Sequence, residues 1–199
     1  MADLNAVLTT LNLTNLSLVG FSMGTGEVTR YIGKYGTKRL RKAVLIGTLG
    51  PYLVKGTDNP EGVDRSVFDG IRVAIKADRP AFLLEFLHNF YNYDLTGGKL
   101  VSERVLEDNW NVAAGASATG TFACVDAWIE DFRKDIPHND VPTLILHGDA
   151  DRILPPDATS RRQEKLIRDV KFVELTGDPH GALWTHAEQV STELVRFLA

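Results

Sequence analysis

The chain has one cysteine, Cys124, in 199 residues, so no intramolecular disulfide can staple it. A reducing, cytoplasmic setting is the expectation that follows. Basic residues do not dominate: 22 Lys and Arg stand against 26 Asp and Glu, for a net charge of -4. Neither nucleic acid nor an anionic membrane is favoured as a partner by that balance. No apolar run approaches the roughly 18 residues that span a bilayer. No Lys or Arg precedes Arg30, which argues against a signal peptide. Internal repeats and low-complexity tracts are missing as well. What is present is 44% hydrophobic and 24% charged residues, the balance of a globular protein with one core.

Leu4, Val7, Leu8 and Leu11 recur at helical spacing and open the chain with an amphipathic helix. The apolar run Leu16-Ser17-Leu18-Val19, closed by Gly20, predicts a strand. Val28, Tyr31, Ile32 and Tyr35 predict a helix over 25–35 that stops at Gly36. Ala43-Val44-Leu45-Ile46 reads as a second, buried strand. From 51 to 140 the pattern is helix and loop, with Asp78 and Pro80 as a cap and first-turn pair. Helices are expected there over 102–114 and 117–132. Strand character returns at Thr143-Leu144-Ile145-Leu146 and over 171–175, with a helix over 157–167 between them. Thr185 and Glu188 suit a capping box for a last helix. Short, nearly all-apolar strands separated by helices predict an α/β fold with a mostly parallel sheet of about four strands. Residues 1–50 and 140–199 form its core, and an all-helical lid over 51–139 is inserted between the second and third strands.

Gly20-Phe21-Ser22-Met23-Gly24 is a G-x-S-x-G sequence between a predicted strand and a predicted helix. A sharp turn there lifts the serine oxygen clear of the sheet, and both glycines are expected to remove side chains that would collide. The helix that follows aims its positive end at the place where an oxyanion develops. Phosphate-binding readings fail. Thr29 stands where a dinucleotide fingerprint needs glycine, and Thr25 where a P-loop needs its second glycine. A serine hydroxyl needs an imidazole to remove its proton and a carboxylate to fix the imidazole's tautomer. Asp149 and Asp151 follow the third strand and His180 follows the fourth, in loops at strand ends where open α/β sheets build their sites. The order Ser, Asp, His is that of the hydrolases built on such sheets.

The residues from Leu18 to Val28, Tyr31 to Gly36 and His147 to Pro155, with Pro179-His180-Gly181, resemble the α/β-hydrolase superfamily. Within it they are similar to the cofactor-free haloperoxidases (non-haem chloroperoxidases), which double as esterases and perhydrolases. The likeness covers essentially the whole chain, and 110–114 and 124–132 are similar to that subgroup's lid. It implies Ser22 as nucleophile, His180 as general base and Asp151 as the orienting acid. Asp151 is preferred to Asp149 because it stands directly before Arg152-Ile153-Leu154-Pro155, where the family carries its acid. The Met23 backbone N–H is implied as an oxyanion donor. No metal, haem or flavin is implied. Substrates would be small carboxylic esters, or a carboxylic acid with hydrogen peroxide to give a peracid that oxidises halide.

One departure from the family pattern carries expectations of its own. Family members have an additional N-terminal segment with further strands and the loop that supplies a second oxyanion donor. The strand at Leu16 is therefore expected at a sheet edge, with weak turnover and self-association into a homo-oligomer. A second reading follows: a piece that keeps the triad but serves assembly or binding without turnover. Other features carry blander expectations. Lys34, Lys38, Arg39, Arg41 and Lys42 are a solvated surface, Cys124 is core, and Asp149 with Asp151 has no third ligand nearby for a metal. His88, His138 and His147 have no chemical partner visible in the sequence. Phe82, Phe86, Phe90, Trp110, Phe122 and Trp128 are mostly core, with one or two lining an acyl pocket.

Overall fold

In a computed structural model that describes residues 2–199, four parallel strands stand in the order β1-β2-β3-β4. They are β1 (Leu16–Phe21), β2 (Leu40–Ile46), β3 (Thr143–Gly148) and β4 (Val170–Leu175). Phe21 pairs with Ile46, Ile46 with Leu146 and Gly148 with Leu175, so the C-terminal ends lie side by side. The segments leaving those ends carry Ser22, Asp151 and His180. β1 ends the strand order, the edge position expected for it, and its Val19 is 48% exposed.

Alternation along β2 divides the core between two faces. Ala43 and Leu45 join Ile145 of β3 beneath α1 (Ala2–Thr10) and α2 (Met23–Tyr35), meeting Leu8, Val28, Tyr31 and Ile32. Val44 and Ile46 join Leu144 and Leu146 on the opposite face. Each fully buried Val, Leu and Ile side chain among these contributes about 1.5–3 kcal/mol by leaving water. Gly36 ends α2 at φ 72°, a conformation glycine adopts without penalty.

Between β2 and β3 the chain is helical: α3 (Arg65–Tyr91), α4 (Tyr93–Thr96), α5 (Glu103–Gly115) and α6 (Ala118–Trp128). α3 kinks at Asp78, whose φ of -155° and ψ of 88° are not helical. Pro80 has no N–H to continue the ladder, and the Asp78 carboxylate accepts from the Ala81 N–H at 3.0 Å. The expected cap and first-turn pair is thus present inside one long element.

Three local expectations need correction. The 117–132 helix stops at Trp128, and Phe132 instead donates its N–H to Pro51 O across the chain. The 157–167 helix is broken into a 3₁₀ turn at Pro156–Ala158, α7 (Ser160–Gln163) and a second 3₁₀ turn at Glu164–Leu166. Thr159 interrupts it at φ -127° and ψ -94°, with its hydroxyl donating to Pro155 O rather than supporting a helical turn. Finally, Thr185 ends α8 (Ala182–Thr185) and does not cap α9 (Ala187–Leu198). Its hydroxyl donates to the buried Asp178 carboxylate at 2.8 Å, a group that has greater need of a donor. α9 covers the Val44 and Ile46 face through Val190, Leu194 and Phe197. Arg41 and Lys42 donate to the Leu198 and Phe197 carbonyls at its C-terminal end, where cations are favoured. No helix among the described residues is long and apolar enough to cross a membrane.

Candidate active site

Ser22 leaves the end of β1 in a left-handed conformation, φ 53° and ψ -124°, that few non-glycine residues adopt. Such strain persists only where the surroundings hold it. The Ser22 N–H donates to Ile46 O at 2.8 Å. Its carbonyl accepts from the Thr25 N–H at 2.9 Å and the Thr25 hydroxyl at 2.6 Å. Thr25 is fully buried, and its Oγ1 also accepts from the Leu49 N–H at 2.9 Å, which joins the turn to the segment after β2. Met23 opens α2, where the first N–H groups have no carbonyl within the helix to bond.

His180 Nε2 lies 2.8 Å from Ser22 Oγ, and His180 Nδ1 lies 2.6 Å from Asp151 Oδ2. The imidazole is 1% exposed, with the Phe21 ring stacked on it at 5.3 Å and the Phe90 ring edge-on at 5.0 Å. Asp151 Oδ1 accepts from the Ile153 and Leu154 N–H groups, both at 2.8 Å. That turn is what the Ile153-Leu154-Pro155 sequence supplies: two free amides ahead of a proline. Burial pushes the Asp151 carboxyl up, but donors from His147 and His180 outweigh it and hold the group well below the usual carboxylate range. Asp151 is therefore a carboxylate opposite Nδ1–H, leaving Nε2 free to accept from Ser22. Asp149 is exposed and accepts from the Gly177 N–H at 2.6 Å. The structure brings Asp151 to His180, and leaves Asp149 in a neighbouring turn.

Ser22 opens onto a cavity of about 480 Å³. Leu49, Leu53, Ile153 and Leu154 line it from the strand-end segments, and Phe68, Phe82, Phe86 and Trp128 from the helices. Of the aromatic residues expected as core, Phe82, Phe86 and Trp128 thus face the cavity, with Phe86 stacked on Trp128. Phe90 packs on His180, Phe122 packs in the core beside the cavity, and Trp110 donates its indole N–H to Pro80 O. Cys124 is half-buried on α6.

Two contacts escaped the sequence reading. His147, given no partner there, has its Nε2 3.2 Å from Asp151 Oδ2. His186 Nδ1 lies 2.5 Å from Asp178 Oδ1, two residues before His180. Burial pushes the Asp178 carboxyl up, against hydrogen bonds from Thr185 and His186. One signal for His147 was available: a lone polar ring in a strand that is otherwise buried and apolar.

The serine sits on a strand–elbow–helix turn after β1, its acid follows β3 and its base follows β4, in the Ser, Asp, His order of α/β-hydrolases. The alpha/beta hydrolase fold family matches residues 1–187. The chain is an alpha/beta hydrolase. Within the family this hydrolase belongs with the non-heme haloperoxidases and esterases. It is 55% identical, over 99% of its length and 71% of the relative's, to a Synechocystis sp. protein assigned as a non-heme chloroperoxidase. It is 31% identical to the bifunctional esterase/perhydrolase of Acinetobacter calcoaceticus, over 98% of this chain and 71% of that one. The crystal structure of bromoperoxidase from Bacillus anthracis superposes with a TM-score of 0.94 at 42% identity, covering 98% of this hydrolase and 71% of that chain.

Proposed function

We propose that the chain is a serine esterase and perhydrolase that acts on small carboxylic esters through an acyl-serine. The observation that carries this is the continuous chain from Ser22 Oγ to His180 at 2.8 Å and from His180 to Asp151 at 2.6 Å, opening on an apolar cavity. His180 Nε2 takes the hydroxyl proton as Ser22 Oγ bonds to the ester carbonyl carbon. The Met23 N–H and the positive end of α2 receive the oxyanion, and Asp151 steadies the imidazolium. The intermediate collapses as His180 returns the proton to the departing alcohol. Water then releases a carboxylic acid, or hydrogen peroxide releases a peracid. A peracid transfers its terminal oxygen to halide in solution, giving hypohalite and the carboxylic acid, which matches the haloperoxidase names among the relatives.

Helices 65–128 serve on this reading as a lid over the cavity, whose volume takes acyl groups bulkier than acetyl. Assembly without turnover finds no support in relatives that are named as enzymes. The test is Ser22→Ala assayed with p-nitrophenyl acetate, and with acetate, peroxide and bromide. Both activities should fall below about 1% of the parent with the circular dichroism spectrum unchanged. Retention above that level would show that Ser22 is not the nucleophile.

A further inference from the structure

We propose that His147 is a positioning residue for the reaction, fixing the Asp151 carboxylate that orients His180. The inference rests on the triad reading above and extends it to a side chain that touches neither Ser22 nor the cavity. His147 stands near the end of β3 with its side chain fully buried. An imidazole so placed must have its ring nitrogens satisfied, and the surroundings allow only one way to do so. Nδ1 is 3.1 Å from the Thr48 backbone nitrogen, and an amide N–H can only donate. Nδ1 therefore carries no proton, and the ring's proton sits on Nε2. That nitrogen faces two acceptors, Leu154 O at 2.8 Å and Asp151 Oδ2 at 3.2 Å. The other tautomer would set N–H against N–H at Thr48. A flipped ring would turn a carbon toward Asp151.

The backbone of Thr48 thus selects the tautomer whose Nε2–H donates to Leu154 O and stands 3.2 Å from the same oxygen His180 uses. Asp151 accepts from Ile153 and Leu154 on Oδ1 and faces His180 on Oδ2, and His147 Nε2 stands 3.2 Å from Oδ2 on its other side, so the carboxylate is held from both sides. The second donor on Oδ2 also keeps negative charge on Asp151 when His180 takes the serine proton. That opposes passage of the proton onward from imidazolium to carboxylate. The two imidazoles together hold the Asp151 carboxyl below the usual carboxylate range against its burial. Asp178, two residues before His180, bears on the same region, since the two carboxylates repel. His147 also links both ends of the machinery. Thr48, which fixes its ring, precedes Leu49, whose N–H holds Thr25 against the Ser22 carbonyl.

The experiment compares His147→Phe, which keeps the ring shape without donor or acceptor, with His147→Gln, whose amide can donate toward Asp151 and Leu154. His147→Phe should lower kcat/KM for p-nitrophenyl acetate by about tenfold or more, as expected for losing a hydrogen bond to a charged group. It should also move the acid limb of the pH profile upward by about half a unit, because Oδ2 then concentrates its charge on His180. The low-field proton resonance of the His180–Asp151 hydrogen bond should shift with it. His147→Gln should recover most of the rate and restore the limb. A folded His147→Phe enzyme with an unmoved limb, or a His147→Gln enzyme no better than it, overturns the proposal. If His147→Phe does not fold, the parent decides: ¹⁵N spectra must show the His147 ring protonated on Nε2 and bare on Nδ1, and the opposite tautomer overturns it. Ser22→Ala run in parallel separates the two readings. Activity that survives that change removes the triad itself, whereas loss there beside an indifferent His147→Phe removes only the role of His147.

Discussion

The carbonyl oxygen of Gly24 lies 2.5 Å from where a Cβ on Gly20 would stand, while a Cβ on Gly24 would meet nothing within 4 Å. The two glycines of the elbow are therefore not equivalent. At Gly20 the first turn of α2 folds back against the end of β1, and the obstructing atoms are backbone, which cannot swing aside. Gly20→Ala should destabilise the protein by about 1–3 kcal/mol, the range for forcing atoms into a packed site, and should displace Ser22 enough to depress turnover. Gly24→Ala should be neutral or stabilising by up to about 1 kcal/mol, because alanine is the better helix former. Urea unfolding of both variants checks this. Equal losses would mean that Gly24 is held by a contact other than its own turn.

Asp151→Asn should reduce turnover by about 10,000-fold, since an amide facing Nδ1 favours the tautomer that cannot accept from Ser22. Asp149→Asn should stay within about threefold of the parent. Its carboxylate only accepts the Gly177 N–H, which an amide oxygen also does. Steady-state kinetics on the two variants decide it, and comparable losses would remove Asp151 from its role.

Much of this site was legible because its parts are local in sequence. The elbow lies within Gly20–Gly24, and the acid is marked by the turn Arg152-Ile153-Leu154-Pro155 directly after it. The four strands were legible as apolar runs, yet β2 begins at Leu40 and passes through Arg41 and Lys42. Those two long side chains reach the end of α9, a contact that no periodicity contains. His147 escaped for a similar reason. It lies four residues from Asp151, but only the folded-back loop turns both onto one point. Phe82, Phe86 and Trp128 have the helical spacing of core residues, and sequence spacing does not distinguish a side chain that meets another from one that meets a cavity. The Pro156–Leu166 stretch went wrong because the Thr159 hydroxyl competes with the backbone for a carbonyl, a choice settled by tertiary packing.

Acid should weaken the fold through Asp151 in particular. Its carboxyl is held below the ordinary value of 3.8, so the folded state binds this proton less readily than the unfolded chain does. The stabilisation is complete above that value and is lost as the pH falls through the lower folded one. Asp178 is displaced upward, so its contribution has the opposite sign: it is present below 3.8 and lost as the pH rises through the folded value. The stability difference between parent and Asp151→Asn should therefore shrink from about pH 5 downward, while that between parent and Asp178→Asn moves in the parent's favour. Urea unfolding at several pH values measures both. Parallel curves for the parent and Asp151→Asn would show that no such linkage exists.

The free side of β1 should make the chain associate with itself. β1 ends the strand order, so among the described residues the backbone groups along one side of Leu16–Phe21 have no strand beside them. Its Val19 is 48% exposed, and Val7 and Leu11 on the neighbouring N-terminal segment are 52% and 62% exposed. An unpaired edge that carries apolar side chains and no charge is a template for another strand, since pairing satisfies the amides and covers the side chains in one step. Sedimentation velocity at tens of micromolar should show dimers or larger species for the parent. Val19→Lys puts a charge on that edge without entering the Ser22 site, and a buried ammonium would oppose strand addition. The variant should sediment as a monomer under the same conditions, with its association weakened by about tenfold or more. Its circular dichroism and its reactivity toward a serine-directed fluorophosphonate should match the parent's. A parent that is monomeric throughout that concentration range, or a variant that associates as strongly as the parent, would show that the β1 edge does not drive association.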